Sequence, residues 1–182
     1  MQEGDPGDSL YVILSGSVRS FSSDWDGKEI TYGIYSSGEM IGEMSLDGDV
    51  RSASVIAIED CECTVIGFEP LKVFLSKDPS AALALVTVAI RRAREATHAA
   101  KSLALLDVYG RLRDFLNSAP LSTPAKNDRG RTLQKFSQKD IAQRIGSSRE
   151  MVSRLFRDLE LGGYIEVASG VVTINRPLPE RW

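Results

Sequence analysis

The first part of the chain consists of short runs in which apolar and polar residues alternate, separated by Gly, Ser and Asp. The segments LYVILSGSVRSF, EITYGIYSSGEMIGEM and SASVIAIEDCECTVIGF are rich in Val, Ile, Tyr and Thr, which is typical of short β-strands. We expect a hairpin with its turn at Ser15 and Gly16, a strand–turn–strand unit with its turn at Ser37 and Gly38, and two strands joined by an Asp/Glu turn. Short strands in regular succession favour an antiparallel barrel or jelly roll.

A long helix is predicted after the strands, because neither glycine nor a further proline occurs between Pro79 and Leu106. Such a helix would be about 40 Å long at 1.5 Å per residue. Apolar and small residues recur along it in the pattern of a seam between two helices: Val86, Ile90, Ala93, Thr97, Ala100 and Ala104. This seam favours association of two chains, and a helix buried against its own sheet is the alternative.

The C-terminal part of the chain contains two further helical patterns, separated by the sequence IGSS. Ser137 is a candidate N-cap of the first helix, with Asp140 three residues later as an approximate capping box. Gly146 is expected to end this helix, since a sharp turn needs a residue that tolerates positive φ. Ser147 or Ser148 would then cap the second helix.

The two faces of this second helix differ in character. Its predicted inward residues are apolar: Met151, Val152, Leu155, Phe156 and Leu159. Its predicted outward residues are polar: Arg149, Glu150, Ser153, Arg154 and Arg157. Arginine can donate two hydrogen bonds to guanine and glutamate can accept one from cytosine, although the solvated face of any amphipathic helix could carry similar charges. The segment YIEVASGVVTI follows as a predicted hairpin, and the order helix, glycine turn, helix and wing favours DNA binding.

Charge is distributed unevenly along the chain. Residues 1–90 carry 5 basic and 15 acidic side chains, whereas residues 91–182 carry 17 basic and 10 acidic ones, for a net charge of -3 overall. A basic C-terminal half beside an acidic N-terminal half favours a polyanionic partner for the basic half.

Several other classes of protein are disfavoured by composition. The chain has no apolar run long enough to span a membrane and no signal-peptide pattern at its start, so we expect a cytoplasmic protein without a membrane partner. Two cysteines and one histidine are too few for a zinc or iron–sulfur site, so we expect no metal and no covalent cofactor. We also expect no enzyme, because no phosphate-binding loop, no Gly-x-Ser-x-Gly and no His/Asp/Ser arrangement occurs.

Four segments resemble the Crp/Fnr family of bacterial transcription regulators. The segment GSSREMVSRLFRDLELGGYI resembles the family's helix-turn-helix, and LALLDVYGRL resembles the junction before it. The segments GDPGDSLYVILSG and IGEMSLDGDVRSASVIA resemble the two signatures of the cyclic-nucleotide-binding β-roll. The resemblance implies an α+β fold with an antiparallel β-roll over residues 1–78, a dimerisation helix over 79–106 and a winged helix-turn-helix over 107–182.

The resemblance is strongest to the cyclic-AMP-responsive, catabolite activator branch. It implies that Arg149, Glu150 and Arg154 read bases in a palindromic site with half-sites similar to TGTGA, bound by a homodimer. The other side chains expected at the DNA are Ser137, Gln138, Ser148, Ser153 and Arg157. Family position also places an RNA polymerase contact in the loop at residues 123–131.

The same resemblance implies an effector site in the β-roll, with cyclic AMP as the first candidate. Glu43 would accept the ribose hydroxyl, Arg51 and Ser52 would bind the cyclic phosphate, Gly42 would allow close backbone approach, and Thr97 would reach the adenine. Bound ligand would then bias a hinge at the start of the DNA-binding domain.

The match to the family's effector site is incomplete. Ala96 lacks the hydroxyl of the activator branch, and the loop DGDV is short, with Asp47 and Asp49 able to repel a phosphate. Met1 aligns within the first signature, so the opening strands of the β-roll are expected to be missing, through an internal start or a truncation. A different effector, no effector, or a simple ion pair between Glu43 and Arg51 are the alternatives.

Overall fold

A computed structural model describes residues 1–122 and 131–182. Within these ranges the chain forms two compact units, Met1–Thr97 and His98–Trp182. The first unit contains six strands followed by two helices, and the second contains the end of the long helix, three further helices and a small sheet, which confirms the α+β class, the β-roll, the long helix and the winged helix-turn-helix.

Two antiparallel three-stranded sheets form the β-roll of the first unit. Their strands are β1 (Ser9–Ser15), β2 (Ser17–Ser23), β3 (Glu29–Ser36), β4 (Met40–Ile41), β5 (Ser54–Ala57) and β6 (Glu62–Gly67). One sheet has the order β4-β1-β6 and the other the order β3-β2-β5. Apolar side chains of both sheets, Ile13, Val18 and Ile41, form one buried cluster inside the roll.

The predicted hairpin at Ser15 and Gly16 is wrong, because β1 and β2 belong to different sheets. A single residue, Gly16, separates the two strands, which is too short a connection for a hairpin loop. Gly16 adopts φ 79°, and a Cβ at this position would lie 2.7 Å from Cys61 Sγ. The glycine therefore forms a corner at which the chain passes from one sheet to the other.

The roll is followed by α1 (Phe68–Lys77) and α2 (Pro79–Leu105). The first of these helices was not expected; it buries Phe68 and Leu71 against Leu10. The second matches the predicted long helix, and none of its residues is buried. All six residues of the predicted seam are exposed, so the seam is not covered by the sheets of its own chain.

The second unit contains α3 (Val108–Ser118), β7 (Arg131–Thr132), α4 (Gln138–Ile145), α5 (Arg149–Leu161), β8 (Ile165–Ala168) and β9 (Val171–Ile174). The three strands form a sheet of order β7-β9-β8, and β7 was not expected. Side chains from every helix of this group meet in one core, including Leu112, Ile141, Val152 and Phe156. The predicted wing is the hairpin of β8 and β9, whose turn places Ser169 at φ 53° and Gly170 at φ 79°.

In the described ranges no single helix is long and apolar enough to cross a membrane, although α1 and α2, bent by 119°, meet that criterion as a pair.

Candidate DNA-binding face and effector site

The turn between α4 and α5 is fixed by local hydrogen bonds. Ser137 and Asp140 form a complete capping box at the start of α4, in which each side chain accepts from the other residue's backbone N–H. Gly146 ends α4 at φ 63°, as the sequence predicts. Of the two candidate caps for α5, Ser148 is the one observed, and its hydroxyl accepts from the Met151 N–H at 3.2 Å.

The recognition face, as we call it, is the polar surface that α5 and the start of α4 present together. Its members line a shallow depression of about 370 Å³: Gln138, Arg149, Glu150, Ser153, Arg154 and Arg157. The apolar face of α5 is turned the other way, and Val152, Leu155, Phe156 and Leu159 are buried in the core. The amphipathic pattern of the sequence therefore decides which side chains of α5 reach solvent.

The recognition face is positively charged. Among the described residues no carboxylate forms an ion pair with Arg149, Arg154 or Arg157, and Glu150 is the single acidic group lining the depression. Two of the predicted DNA contacts, Ser137 and Ser148, lie outside this lining. Their hydroxyls accept from backbone amides at the two helix starts, so they position the helices.

In the β-roll, Arg51 is a buried guanidinium with polar partners that are all neutral. Its Nη1 donates to Gly42 O at 3.0 Å and its Nη2 donates to Ser9 Oγ at 3.3 Å, while its guanidinium lies 5.9 Å from the centre of the Tyr11 ring. The residue is 5% exposed, and no carboxylate of the described residues pairs with it. A buried cation without a counter-charge has the chemistry to bind an anion.

Gly42 lies directly beside this guanidinium. It adopts φ 89°, and a Cβ here would lie 2.7 Å from Arg51 Nη1 and 3.0 Å from Ser9 O. A side chain at this position would displace the arginine, so the glycine keeps both the turn and the cation in place.

Glu43 begins a short 3-10 helix, Glu43–Asp47, and is 92% buried, being 8% exposed. Its Oε1 forms an ion pair with Nη1 of Arg92 from α2, which also donates to Met40 O through Nη2. The expected alternative of an ion pair between Glu43 and Arg51 is therefore not observed. Among the described residues Glu43 Oε2 accepts no hydrogen bond, and Arg92 Nε donates none.

Tyr35 completes the surroundings of this ion pair. The guanidinium of Arg92 lies 4.7 Å from the centre of the Tyr35 ring. Burial raises the pKa of the Tyr35 phenol above its ordinary value, and the charge of Arg92 opposes that rise. The phenol is thus a neutral, protonated group close to the Arg92 end of this ion pair.

Family models match both units. A model described as a cyclic nucleotide-binding domain matches residues 1–78, and one described as a Crp-like helix-turn-helix domain matches residues 110–177. A relative, the CRP-like protein Clp of Xanthomonas campestris pv. campestris strain B100, is 30% identical over 178 residues, which covers 94% of this chain and 77% of Clp.

The chain belongs to the Crp/Fnr family. It is a DNA-binding transcription regulator with a cyclic-nucleotide-binding domain.

Solved structures of this family share the fold. The structure described as the c-di-GMP-responsive global regulator CLP of Xanthomonas campestris is 30% identical, with a TM-score of 0.81, and the match covers 97% of this chain and 88% of that one. The structure of a CooA mutant from Carboxydothermus hydrogenoformans is 20% identical with a TM-score of 0.80, covering 97% of this chain and 82% of that one, and shows the fold alone.

Three of the five effector residues predicted for this Crp/Fnr regulator lie together, and the other two are exposed. Gly42, Glu43 and Arg51 meet at the start of the 3-10 helix. Ser52 is exposed and directs its hydroxyl to Met44 Sδ at 3.4 Å. Thr97 is exposed on α2, and its hydroxyl donates to a carbonyl of its own helix at 2.8 Å.

The contribution of α2 to this site is Arg92, which sequence reasoning missed. A signal was present, because the consecutive residues Arg91 and Arg92 interrupt the small and apolar residues of α2. Arg91 lies 3.8 Å from Glu39, so both arginines face carboxylates that flank β4. The expected polymerase contact falls on a loop whose residues 123–130 lie outside the described ranges.

Proposed function

We propose that this Crp/Fnr regulator acts as a homodimer whose affinity for a palindromic DNA site is controlled by a cyclic nucleotide, with cyclic AMP as the first candidate. The observation that carries the proposal is a pair of buried charged side chains in the β-roll whose sets of polar partners are incomplete. Glu43 is a buried carboxylate whose Oε1 is paired with Arg92 but whose Oε2 has no hydrogen-bond donor, and Arg51 is a buried cation without an anion. A cyclic nucleotide supplies both partners, a ribose hydroxyl and a phosphate.

The number of free cations in the roll favours an effector with one phosphate. Arg51 is unpaired, whereas Arg92 is already engaged by Glu43 and Met40 O. A ligand with two phosphates would bury a second negative charge without a cation already free to meet it. Asp47 and Asp49 are the two residues whose charge could repel a phosphate. Their carboxylates accept hydrogen bonds from backbone amides of their own turn, at 3.1 and 2.8 Å.

The DNA half of the proposal rests on the recognition face. Arg149 and Glu150 lie on the first turn of α5, where a recognition helix contacts base edges, and Arg154 follows at an outward position. We propose that these three side chains read half-sites similar to TGTGA. Gln138, Ser153 and Arg157 line the same face and complete the set of contacts, with Ser137 and Ser148 holding the helix starts.

The dimer half of the proposal rests on the seam of α2. Val86 and Ile90 are 52% and 49% exposed, and small residues continue the seam toward the end of the helix. Long helices that expose an apolar stripe with this spacing pair with a second helix. A two-fold dimer places two recognition helices on two successive half-sites, which is why a palindrome is expected.

Fluorescence anisotropy tests the proposal. A labelled duplex with two TGTGA-type half-sites is titrated with protein alone, with cyclic AMP and with cyclic di-GMP. We expect cyclic AMP to tighten binding and a scrambled duplex to bind weakly in every arm. Identical curves with and without both nucleotides would show that neither gates DNA binding.

A variant of the anion site gives the matched control. Arg51→Met removes the cation but keeps much of its apolar volume, so we expect DNA binding without effector to stay and the effect of cyclic AMP to disappear. Calorimetric titration with cyclic AMP should show no binding to this variant. Unchanged nucleotide binding by Arg51→Met would contradict the proposed site.

Cyclic di-GMP is the second candidate effector. The observation that favours it is the 30% identity to the Xanthomonas campestris regulator that is described as responsive to that nucleotide. If the cyclic di-GMP arm alone changes the anisotropy curve, this candidate replaces cyclic AMP.

We also propose that the regulator works in the cytoplasm, by binding rather than by catalysis. A contact with RNA polymerase would then link DNA binding to transcription. Cyclic AMP recovered intact after prolonged incubation with the protein is the expected result, and its turnover would overturn the non-catalytic part of the proposal.

A further inference from the structure

The last turn of α2 and the turn before α5 are joined by one side chain, Arg111 of α3. Its Nε donates to Ile145 O at 2.7 Å and its Nη1 donates to Leu106 O at 2.8 Å. Ile145 is the last residue of α4, and Leu106 directly follows α2. Carbonyls at helix C-termini have no partner within the helix, so one guanidinium serves two helix ends that both carry partial negative charge.

A second contact joins the same two elements. A Cβ built on Gly146 would lie 3.1 Å from Leu103 Cδ2, which shows that Leu103 of α2 lies directly against the glycine of the turn. Gly146 and Ser147 both donate their amides to Ala142 O, and α5 begins three residues after Gly146, at Arg149. The end of α2 therefore touches the segment that sets the start of the recognition helix.

The geometry points to Arg111 as a positioning residue for DNA recognition, which fixes the turn before α5 onto the end of α2. Arginine suits the role, because its planar fork donates in two directions at once and is half-buried here. Lysine offers a single ammonium on a shorter reach and cannot serve both carbonyls with the same geometry.

The test uses the full chain and compares Arg111→Met with Arg113→Met. Arg113 lies on the same helix and donates to Glu180 O at 2.9 Å, away from the turn. Hydrogen exchange of the amides at residues 146–149 is measured in the native state, together with affinity for the palindromic duplex. We expect Arg111→Met to raise the exchange rate of these amides about tenfold and to weaken DNA binding about tenfold, because charge-assisted hydrogen bonds are lost.

Arg113→Met is expected to leave both measurements near those of the parent protein. Equal effects of the two substitutions, or unchanged exchange at the turn in Arg111→Met, would overturn the inference. A general loss of stability would speed exchange throughout the second unit, so exchange confined to the turn separates positioning from a structural role.

The conservative variant Arg111→Lys decides the matter if Arg111→Met fails to fold. Intermediate exchange at the turn supports the inference, and exchange and affinity equal to the parent protein overturn it.

The effector arm of the experiment rests on the proposed function. With cyclic AMP, we expect Arg111→Met to lose most of the ratio between affinities with and without effector. If the parent protein itself shows no such ratio, the proposed gating fails, while the exchange and affinity measurements still decide the role of Arg111.

Discussion

Arginine side chains have different roles in this regulator because their surroundings differ. Arg149 and Arg157 are exposed on the recognition face, where nothing in the described residues neutralises them. Arg51 and Arg92 are largely buried, and one of them meets neutral groups while the other meets a carboxylate. The sequence could identify the exposed pair from helical spacing, but the partner of a buried arginine depends on which distant strand or helix lies beside it.

The two exposed arginines are expected to differ in what they contribute to DNA binding. Arg149→Ala should cost about 1–3 kcal/mol and relax the preference at one base pair, because it removes a two-bond contact with a base. Arg157→Ala should weaken all duplexes similarly and reduce the salt dependence, as loss of a phosphate contact does. Anisotropy titrations on single-base variants of the site over a range of salt concentrations measure both effects, and matching profiles for the two variants would be inconsistent with this division.

The buried ion pair of Glu43 and Arg92 is expected to matter for stability. Glu43→Gln leaves the Arg92 guanidinium buried without its counter-charge, so we expect the free energy of unfolding to fall by about 3 kcal/mol. Glu39→Gln is the matched control, because its pair with Arg91 is more exposed and longer, and a change of at most about 1 kcal/mol is expected. Urea denaturation measures both, and equal losses would argue against a buried pair.

At the scale of elements, the sequence was sufficient to predict those features that depend on interactions between nearby residues. The cap at Ser137, the stop at Gly146 and the wing turn follow from interactions within a few residues. Pairing between strands is not local. Gly16 carries the sequence signal of a turn, yet the strands on either side of it do not pair with each other, and β1 pairs with β4 and β6, which are distant along the chain. The position of Arg92 was missed for the same reason.

The capping box of α4 is a local interaction whose contribution to the free energy of unfolding can be measured. Ser137→Ala removes the acceptor for the Asp140 amide, so we expect the free energy of unfolding to fall by about 1 kcal/mol. Ser118→Ala is the control, since that hydroxyl donates back to carbonyls of its own helix and contributes little. Thermal and urea unfolding followed by circular dichroism measure the difference, and a smaller loss for Ser137→Ala than for Ser118→Ala would refute the assignment.

At the scale of the whole molecule, the two halves of the chain carry opposite charge and the helix between them is exposed. The acidic half contains the β-roll and the basic half contains the recognition face. The charge asymmetry and the seam were both visible in the sequence, because they depend on composition and spacing alone. In the proposed homodimer the partner that covers the seam is a second molecule, which the pattern along one chain can imply but cannot place.

A charged substitution tests whether the seam of α2 forms the interface of the proposed dimer. Ile90→Glu puts a carboxylate into the apolar part of the seam, so we expect the dimer to dissociate in sedimentation and light-scattering measurements. Ala99→Glu places the same charge on the opposite side of the helix and should leave the dimer intact. The first variant is also expected to lose its preference for a palindrome over a single half-site. A fully dimeric Ile90→Glu protein would count against the seam.

The small extent to which α2 is buried within its own chain has a consequence for how the protein melts. This helix of 27 residues has few contacts with its own chain, among them Leu85 on the cluster around Leu10 and Arg92 with Glu43, so in the proposed dimer much of its order would come from association. Folding and assembly then form one equilibrium, and the temperature at which the regulator unfolds should rise as its concentration rises. In a cell, the amount of the regulator would set not only how many sites it fills but how much of it is fully folded.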